Sequence, residues 1–513
     1  MNHSCVRPFR RRTGGFCPEW EHPYSRLGGG YAVSQAGKLH FRPKDGYVGD
    51  VHPFFHDGTY YIFYLKPPLE PRRSGIAGMV SALTVSKDLF HWQKVPVSLT
   101  LRPHSDPARL ADALGDWWLI SIVRSLETGR FFAFYPRGSG ICAAASDNLL
   151  EWHPIDQNPV LPPKLHVYRE WRDPFVFYNT YDKAYWMLLT TSIRGEPEFK
   201  GGAVSYATSR DLIQWQFRGT IFHPGDVGSP ECPEMFTIGN DWYLVASFAT
   251  PRGVGKTSYR MSNKPTGDWK APVPDSLDGL DLCAGNTVHD GKRRLLFGWV
   301  PTYGGSEDAR GQQWGGDLAL PREVYRLPDG TLATRLPEDL WRLIRGEGVF
   351  PPGKQMTFVK QKGEWQSARG DISNLSSPAV FVLPLHLSRV ALDVQITAGH
   401  KTNAIGGIAI MYPQREPAFN IVVDWAEGSL AVKRARPNGA TFNLLPLRLP
   451  LPRTITLRMV LEEDVVEIFI SQHYSLATRL PENLSGFAIG GFVENGLLRF
   501  SNFQLYDLKP HSS

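Results

Sequence analysis

Apolar and polar positions in the first part of the chain repeat one figure. An apolar run ends in a tight polar turn, and a second, aromatic-rich run follows. The copies are HPFFHDGTYYIFYL (52–65), ADALGDWWLISIV (111–123), PFVFYNTYDKAYWMLL (174–189), EMFTIGNDWYLVASF (234–248) and NTVHDGKRRLLFGWV (286–300). Runs of this length with Asp, Asn or Gly at the break read as β-hairpins. A second figure interleaves with the first: SKDLFHW (86–92), SDNLLEW (146–152) and SRDLIQW (209–215), with a degraded copy, SNKPTGDW, at 262–269. Its start-to-start steps are 60, 63 and 53 residues. In it a polar Ser/Asp turn closes one strand, and Leu and Trp pack the next against a neighbour. Five hairpins at this spacing leave chain enough for a four-stranded sheet each, and radial repetition of such sheets is a β-propeller. The pattern predicts five blades. The alternative is an irregular β-solenoid, whose repeats are usually shorter.

The pattern changes after the fifth hairpin. PEDLWRLIRGEG (337–348) reads as a connector with a helical turn or two. Alternating strands follow, among them RVALDVQI (389–396), TITLRMVL (454–461), DVVEIFI (464–470) and GFAIGGFVENGLLRFSNFQLYDL (486–508). Regular short strands with turn signals suggest a β-sandwich. The chain is thus expected to be all-β: an extension over 1–30, a propeller over 31–338, a linker over 339–350 and a sandwich over 351–513.

Composition agrees with many strands and tight turns. Aromatics make up 12% of the 513 residues, with 49 Gly and 41 Pro, a mix that suits β structure more than long helices. The length exceeds what one hydrophobic core supports. A formal net charge of +6 with scattered basic residues carries no nucleic-acid footprint. The five Cys are odd in number and widely spaced, which points to a reducing compartment. No apolar run follows the arginines of MNHSCVRPFRRRTGGF, and no stretch is apolar for long enough to span a bilayer. The expectation is a cytoplasmic protein without a membrane partner; oligomeric state is not legible.

Acids stand at the mouths of the hairpins. Asp50 precedes the first (GDVHPFF), Asp173 the third (WRDPFVF), Glu231 the fourth (ECPEMF) and Asp281 the fifth (DLCAGNTV). The first strand of each blade lines the axial channel, so equivalent starts meet at one end of it. Carboxylates sharing a cleft repel one another and lose water, which separates their pKa values. Glycoside hydrolysis needs such a pair, one ionised and one protonated. Arg172 would hold Asp173 ionised. Asp281 reads equally well as a strand cap.

At these residues the chain resembles glycoside hydrolase family 32, the invertases, inulinases and levanases. LHFRPKDGYVGDVHPFFHDGTYYIFYL (39–65) falls on the family's opening block with Asp50 at the nucleophile position. Arg172-Asp173-Pro174 matches its R-D-P motif, Glu231-Cys232 its E-C motif, and DLCAGNT (281–287) its D-x-Y-A-x-x-T block. FGWV (297–300) and WGGDLALPREVYRLPDGTL (314–332) match its late blocks. The resemblance implies a retaining enzyme with Asp50 as nucleophile, Glu231 as acid/base and Asp173 as transition-state stabiliser. For a retaining pair the carboxyls sit roughly 5–5.5 Å apart. It implies a carbohydrate substrate, with Arg172, Cys232 and Asp281 among its matched blocks as candidate contacts, and no metal or organic cofactor; His52 is a candidate replacement polar contact where the chain departs from the family. Trp20, Tyr47 and Trp314 are candidate platforms for a sugar face.

The resemblance frays in the sugar pocket. The family's Asn before the nucleophile is Gly49, its Trp two before that is Tyr47, and its Pro-Asn-Gly is Val51-His52-Pro53. Its F-S-G-S block is missing, with SDPARLADALGDWW (105–118) in that place. The expectation is an exo-acting hydrolase of β-fructofuranosides or closely related furanosides. Glycosyl transfer, including formation or hydrolysis of cyclic difructose, is one alternative, and a non-catalytic sugar-binding protein is another.

Overall fold

The computed structural model describes residues 38–66, 80–99, 119–250, 253–303, 312–349, 357–400, 403–436, 439–484 and 486–509. It is a five-bladed β-propeller followed by a two-sheet β-sandwich. Blade 1 runs outward as Gly49–His56, Thr59–Lys66, Val80–Ser86 and Gln93–Val95. Blade 2 is Ser121–Arg124, Phe131–Arg137, Gly140–Ser146 and Glu151–Pro154, with Ser98–Leu99 added in parallel at its outer edge. Blade 3 is Tyr168–Asn179, Ala184–Ile193, Gly202–Ser209 and Gln216–Phe222. Blade 4 has Pro230–Ile238, Asp241–Thr250 and Gly253–Ser262, and a bridge from Met261 to Lys270 stands in for a fourth strand. Blade 5 is Cys283–His289, Arg294–Tyr303, Arg322–Arg326 and Leu332–Arg335, with Gln312–Leu318 paired to the far half of Arg294–Tyr303.

The second hairpin is not where the pattern put it. Its inner strand is Ser121–Arg124 and its partner is Phe131–Arg137, joined by the turn at 125–130. The run at 111–118 lies outside the described residues, as does Trp20. The ring closes through the segment ahead of blade 1. The Val48 N–H donates to the Gly316 carbonyl at 3.0 Å, Gly316 returns a bond to Val48 at 2.8 Å, and the Leu318 N–H donates to Phe41 at 2.9 Å.

The Ser-x-Asp/Asn-Leu-x-x-Trp figure is one turn built three times. Leu89, Leu149 and Leu212 all adopt left-handed backbone, with φ of 67°, 66° and 67°. A buried Leu accepts this unfavourable conformation because the turn's side chains hold it. Ser86, Ser146 and Ser209 each accept a bond from that Leu N–H, at 2.9–3.0 Å. Asp88, Asn148 and Asp211 each accept from the next two N–H groups. The indoles of Trp152 and Trp215 donate back to the Leu149 and Leu212 carbonyls at 3.1 Å. These turns link the third and fourth strands of their blades, on the face away from the strand mouths.

The connector holds a helix, Glu338–Ile344, with Glu338 and Asp339 in its first turn and Leu340, Trp341 and Ile344 buried. Acids at a helix start suit its dipole. The sandwich sheets run Trp365–Ala368, Asp371–Asn374, Leu498–Leu508, Arg389–Ala398, Thr454–Glu462, Val465–Ile470, Tyr474–Arg479, and Val359–Lys362, Ala379–Val382, Ala488–Asn495, Ile405–Met411, Pro417–Asp424, Ser429–Arg434, Thr441–Pro446. Their shared core includes Trp365, Phe381, Phe419 and Phe500.

Buried charges seam the propeller to the sandwich. His40 lies between Glu462 (3.1 Å) and Glu467 (3.0 Å), and Arg322 bridges Asp278 (3.0 Å) and Glu467 (2.6 Å). Arg479 reaches Asp317 and Asp464. Among the described residues no helix is long and apolar enough to cross a membrane.

Candidate active site

Among the described residues, four inner strands, those of blades 1, 3, 4 and 5, carry the same irregularity near their start. Pairing slips by one residue at Gly49/Val51, Arg172/Phe175, Glu231/Glu234 and Cys283/Asn286. At each slip one residue has positive φ: Asp50 (20°), Asp173 (49°), Cys232 (48°) and Ala284 (45°). A β-bulge of this kind re-aims the side chains around it, and positive φ in non-glycine residues marks places where the surroundings hold strain. The register makes Gly49, Arg172, Glu231 and Cys283 equivalent, and likewise Asp50, Asp173, Cys232 and Ala284. Asp tolerates this backbone better than most residues. Blades 1, 3 and 4 thereby turn Asp50, Asp173 and Glu231 toward one another.

Arg172 organises the cluster. Its Nη1 lies 2.5 Å from Asp173 Oδ2, and its Nη2 lies 2.8 Å from Glu231 Oε1 and 3.0 Å from Ser229 Oγ. Asp173 Oδ2 also accepts the Cys232 N–H at 3.2 Å and lies 3.0 Å from Thr190 Oγ1. Thr190 is the cross-strand partner of Arg172, so the hairpin register itself delivers that hydroxyl. Asp50 Oδ1 accepts the Trp299 indole N–H at 3.3 Å.

The electrostatics follow from burial and crowding. Burial, then the charges of Glu231 and Asp173, push Asp50 up to about 7, against the Trp299 bond and Arg172. Burial raises Glu231 too, although Arg172 opposes it. Burial and the charges of Asp173, Asp50 and Glu231 push the Cys232 thiol well above its ordinary range, which places it in the midst of the three carboxylates. Burial holds the His52 imidazole down at about 4, despite Asp173 and a hydrogen bond with Asn286. By the same register, His52, Glu234 and Asn286 form a second polar tier below the first.

Trp314 lies beside the Asp50 strand, over Gly49, and Tyr47 stands against Gly315, next to Trp314 in the chain. Tyr47 is half-buried under the Arg42 guanidinium, 5.4 Å from its ring centre. Trp314 packs at 5.6 Å from Trp299. Asp281 does not join the ring. It is fully buried, and its Oδ2 accepts a 2.6 Å bond from Thr478 of the sandwich. It sits three residues ahead of the bulge rather than at it, so the chain turns it toward the domain seam, and the structure does not bring it into the carboxylate cluster. Cys232 contributes its backbone N–H and is itself buried. Sequence reasoning missed Trp299, Thr190, Ser229 and Glu170. Trp299 stood within the FGWV match; Ser229 and Glu170 gave no signal.

A five-bladed propeller with carboxylates gathered around one guanidinium at its axial mouth, backed by a sandwich, places the chain among the glycosidase-type propellers. The chain belongs to glycosyl hydrolases family 32: the model of that family's N-terminal domain matches residues 40–334. It is 26% identical over 383 residues to a β-fructofuranosidase, insoluble isoenzyme 2, of Oryza sativa subsp. indica, covering 65% of this chain and 61% of that one. This match therefore spans less than two thirds of the rice protein. It is 23% identical over 500 residues to a sucrose-6-phosphate hydrolase of Zymomonas mobilis subsp. mobilis, covering 89% and 90%. Among solved structures, the exo-inulinase of Aspergillus awamori superposes with a TM-score of 0.69 at 18% identity, covering 94% of this chain and all of that one. A β-fructofuranosidase of Bombyx mori superposes at 0.65 and 15%, covering 94% of each. These two likenesses are of fold.

Proposed function

We propose that this chain is a retaining glycoside hydrolase that cleaves β-fructofuranosidic linkages from a non-reducing end. The observation that carries the reading is the trio Asp50, Asp173 and Glu231 around Arg172, with burial and mutual repulsion raising both Asp50 and Glu231. Crowded carboxylates with one cation favour keeping a proton among them. With that proton on Glu231, its charge no longer opposes ionisation of Asp50, and the Trp299 N–H favours the carboxylate. One acid and one nucleophile result from one proton.

In this mechanism the Asp50 carboxylate attacks the anomeric carbon as the bond to the leaving oxygen breaks. The Glu231 proton passes to that oxygen. Glu231, now ionised, takes a proton from water, whose oxygen displaces Asp50 and restores the carboxylate. Asp173, fixed by Arg172, Thr190 and the Cys232 N–H, faces the positive charge that develops on the sugar. Tyr47, His52 and Trp314 bound the sugar. Fructose as that sugar is supported by the relatives, which are β-fructofuranosidases, a raffinose invertase and a sucrose-6-phosphate hydrolase.

The test is a release assay on sucrose, inulin, levan, difructose anhydrides and aryl furanosides of fructose and arabinose, with Asp50→Asn as control. Fructose release that vanishes in the control supports the reading. Arabinose release keeps the mechanism and changes the sugar, and sugar-to-sugar products point to transfer. Silence across the panel from folded protein that still binds sugar overturns hydrolysis in favour of binding.

A further inference from the structure

Arg172 has a fourth partner that the mechanism does not use. Glu170 stands two residues earlier on the same inner strand, and its Oε1 lies 3.7 Å from Arg172 Nη2. Ser229 joins the two. Its Oγ accepts from Arg172 Nη2 at 3.0 Å and donates to Glu170 Oε2 at 2.9 Å. Ser229 is two residues ahead of Glu231, on the strand entry of the next blade. The same Nη2 that holds Glu231 at 2.8 Å is therefore shared with a hydroxyl tethered to a second carboxylate.

We propose that Glu170, acting through Ser229, is a positioning residue for the acid/base: it draws the Arg172 guanidinium partly away from Glu231 and so keeps Glu231 able to hold its proton. Arg172 alone would do the opposite. A guanidinium paired to a carboxylate favours the ionised form, and an ionised Glu231 cannot protonate a leaving group. A second anion sharing the same donor weakens that pull and adds repulsion of its own. The groups facing Glu231 are Arg172, Asp173 and Glu170 from blade 3, Asp50 from blade 1, and the adjacent Cys232; of these Arg172 favours its ionised form while Asp173 and Glu170 oppose it. The Glu170 side chain is partly open to solvent, 34% exposed, so its charge is removable without emptying a buried position. Glu170→Gln suits this purpose: the amide oxygen still accepts the Ser229 hydroxyl, and only the charge goes.

The inference rests on Glu231 being the proton donor, and its test separates the two. The Glu231 carboxyl is titrated by NMR in protein labelled at the glutamate carboxyl carbon, assigned by the signal lost in Glu231→Gln; no substrate is needed. In Glu170→Gln the titration is expected to move to lower pH by about half a unit or more, the size of a partly screened charge at this range. Ser229→Ala moves it the same way by releasing Arg172 toward Glu231. With sucrose as probe, the alkaline limb of kcat/KM shifts in parallel. A Glu231 titration unmoved in Glu170→Gln overturns the proposal. If instead the titration moves but Glu231→Gln retains full turnover, the positioning stands and the proton-donor reading falls.

Discussion

Gly49 and Trp314 occupy one another's space. A Cβ built on Gly49 would stand 2.2 Å from Trp314 Cη2 and 2.4 Å from Cζ2. The resemblance puts an Asn at this position, directly before Asp50. Here the indole lies over the bare backbone, packed against the Trp299 ring that bonds Asp50. The missing side chain and the placed aromatic are one feature. Gly49→Asn is therefore expected to overpack the site, costing about 1–3 kcal/mol and reducing kcat/KM on sucrose more than tenfold. Gly49→Asn with Trp314→Ala is expected to regain the lost thermal stability. Melting curves of the three proteins decide it, and a Gly49→Asn protein as stable as the parent refutes the interlock.

Trp299 donates to Asp50, and the bond favours the ionised form that attacks in the proposed mechanism. Removing the donor leaves burial and the charges of Glu231 and Asp173 less opposed, so the Asp50 carboxyl rises further from its value of about 7. In the proposed mechanism the ionised form is the nucleophile, which sets the sign: the acid limb of the pH–kcat/KM profile moves to higher pH. Trp299→Phe keeps most of the ring and loses the N–H. A shift of roughly half to one pH unit is expected, the worth of one hydrogen bond to a charged group. An acid limb that stays in place removes Trp299 from the account.

Glu231→Gln keeps the shape and the Arg172 contact but has no proton to give. General acid catalysis is worth about 10²–10⁴-fold. The loss is expected in full on sucrose, whose leaving oxygen needs protonation, and much less on nitrophenyl fructofuranoside, whose leaving group departs unaided. Equal losses on both substrates contradict the role.

How much of this was legible follows from the range of each signal. Hairpins and the Ser-x-Asp-Leu-x-x-Trp turn are local, so they survive in the sequence as period and punctuation. Asp50, Asp173 and Glu231 stood out in the sequence because they open apolar strands where solvated loops were the alternative, and the structure gathers them around Arg172. The bulges did not stand out, since Cys232 and Ala284 carry no mark of positive φ and their backbone is fixed by tertiary packing. Asp281 stayed open between ring member and strand cap for the same reason: three residues from the bulge, its direction is decided by Thr478, distant in sequence. The second hairpin slipped because the aromatic run at 111–123 resembled its neighbours, while the true turn at 125–130 looked like loop. The pairing of His40 with Glu462 and Glu467 joins opposite ends of the chain and leaves no local trace.

That pairing makes a prediction about stability and pH. Burial works against a charged His40, but the hydrogen bonds and charges of Glu462 and Glu467 more than reverse it and raise the ring to about 10. Both carboxyls are correspondingly held below their ordinary range, in part by His40. The native protein thus binds a proton that the unfolded chain releases near its ordinary value of about 6.5. The contribution is fully present below that pH and is lost progressively as pH rises toward about 10. His40→Gln can still donate one hydrogen bond but carries no charge. Breaking a buried pair from one side costs about 3–5 kcal/mol, and the variant should lose that much at pH 6 while converging on the parent at alkaline pH. Urea melts of both proteins between pH 6 and 10 measure it. Parallel stability curves across that range would mean that His40 is neutral in the folded protein and that Arg322 and the Leu320 N–H hold Glu467 without its charge.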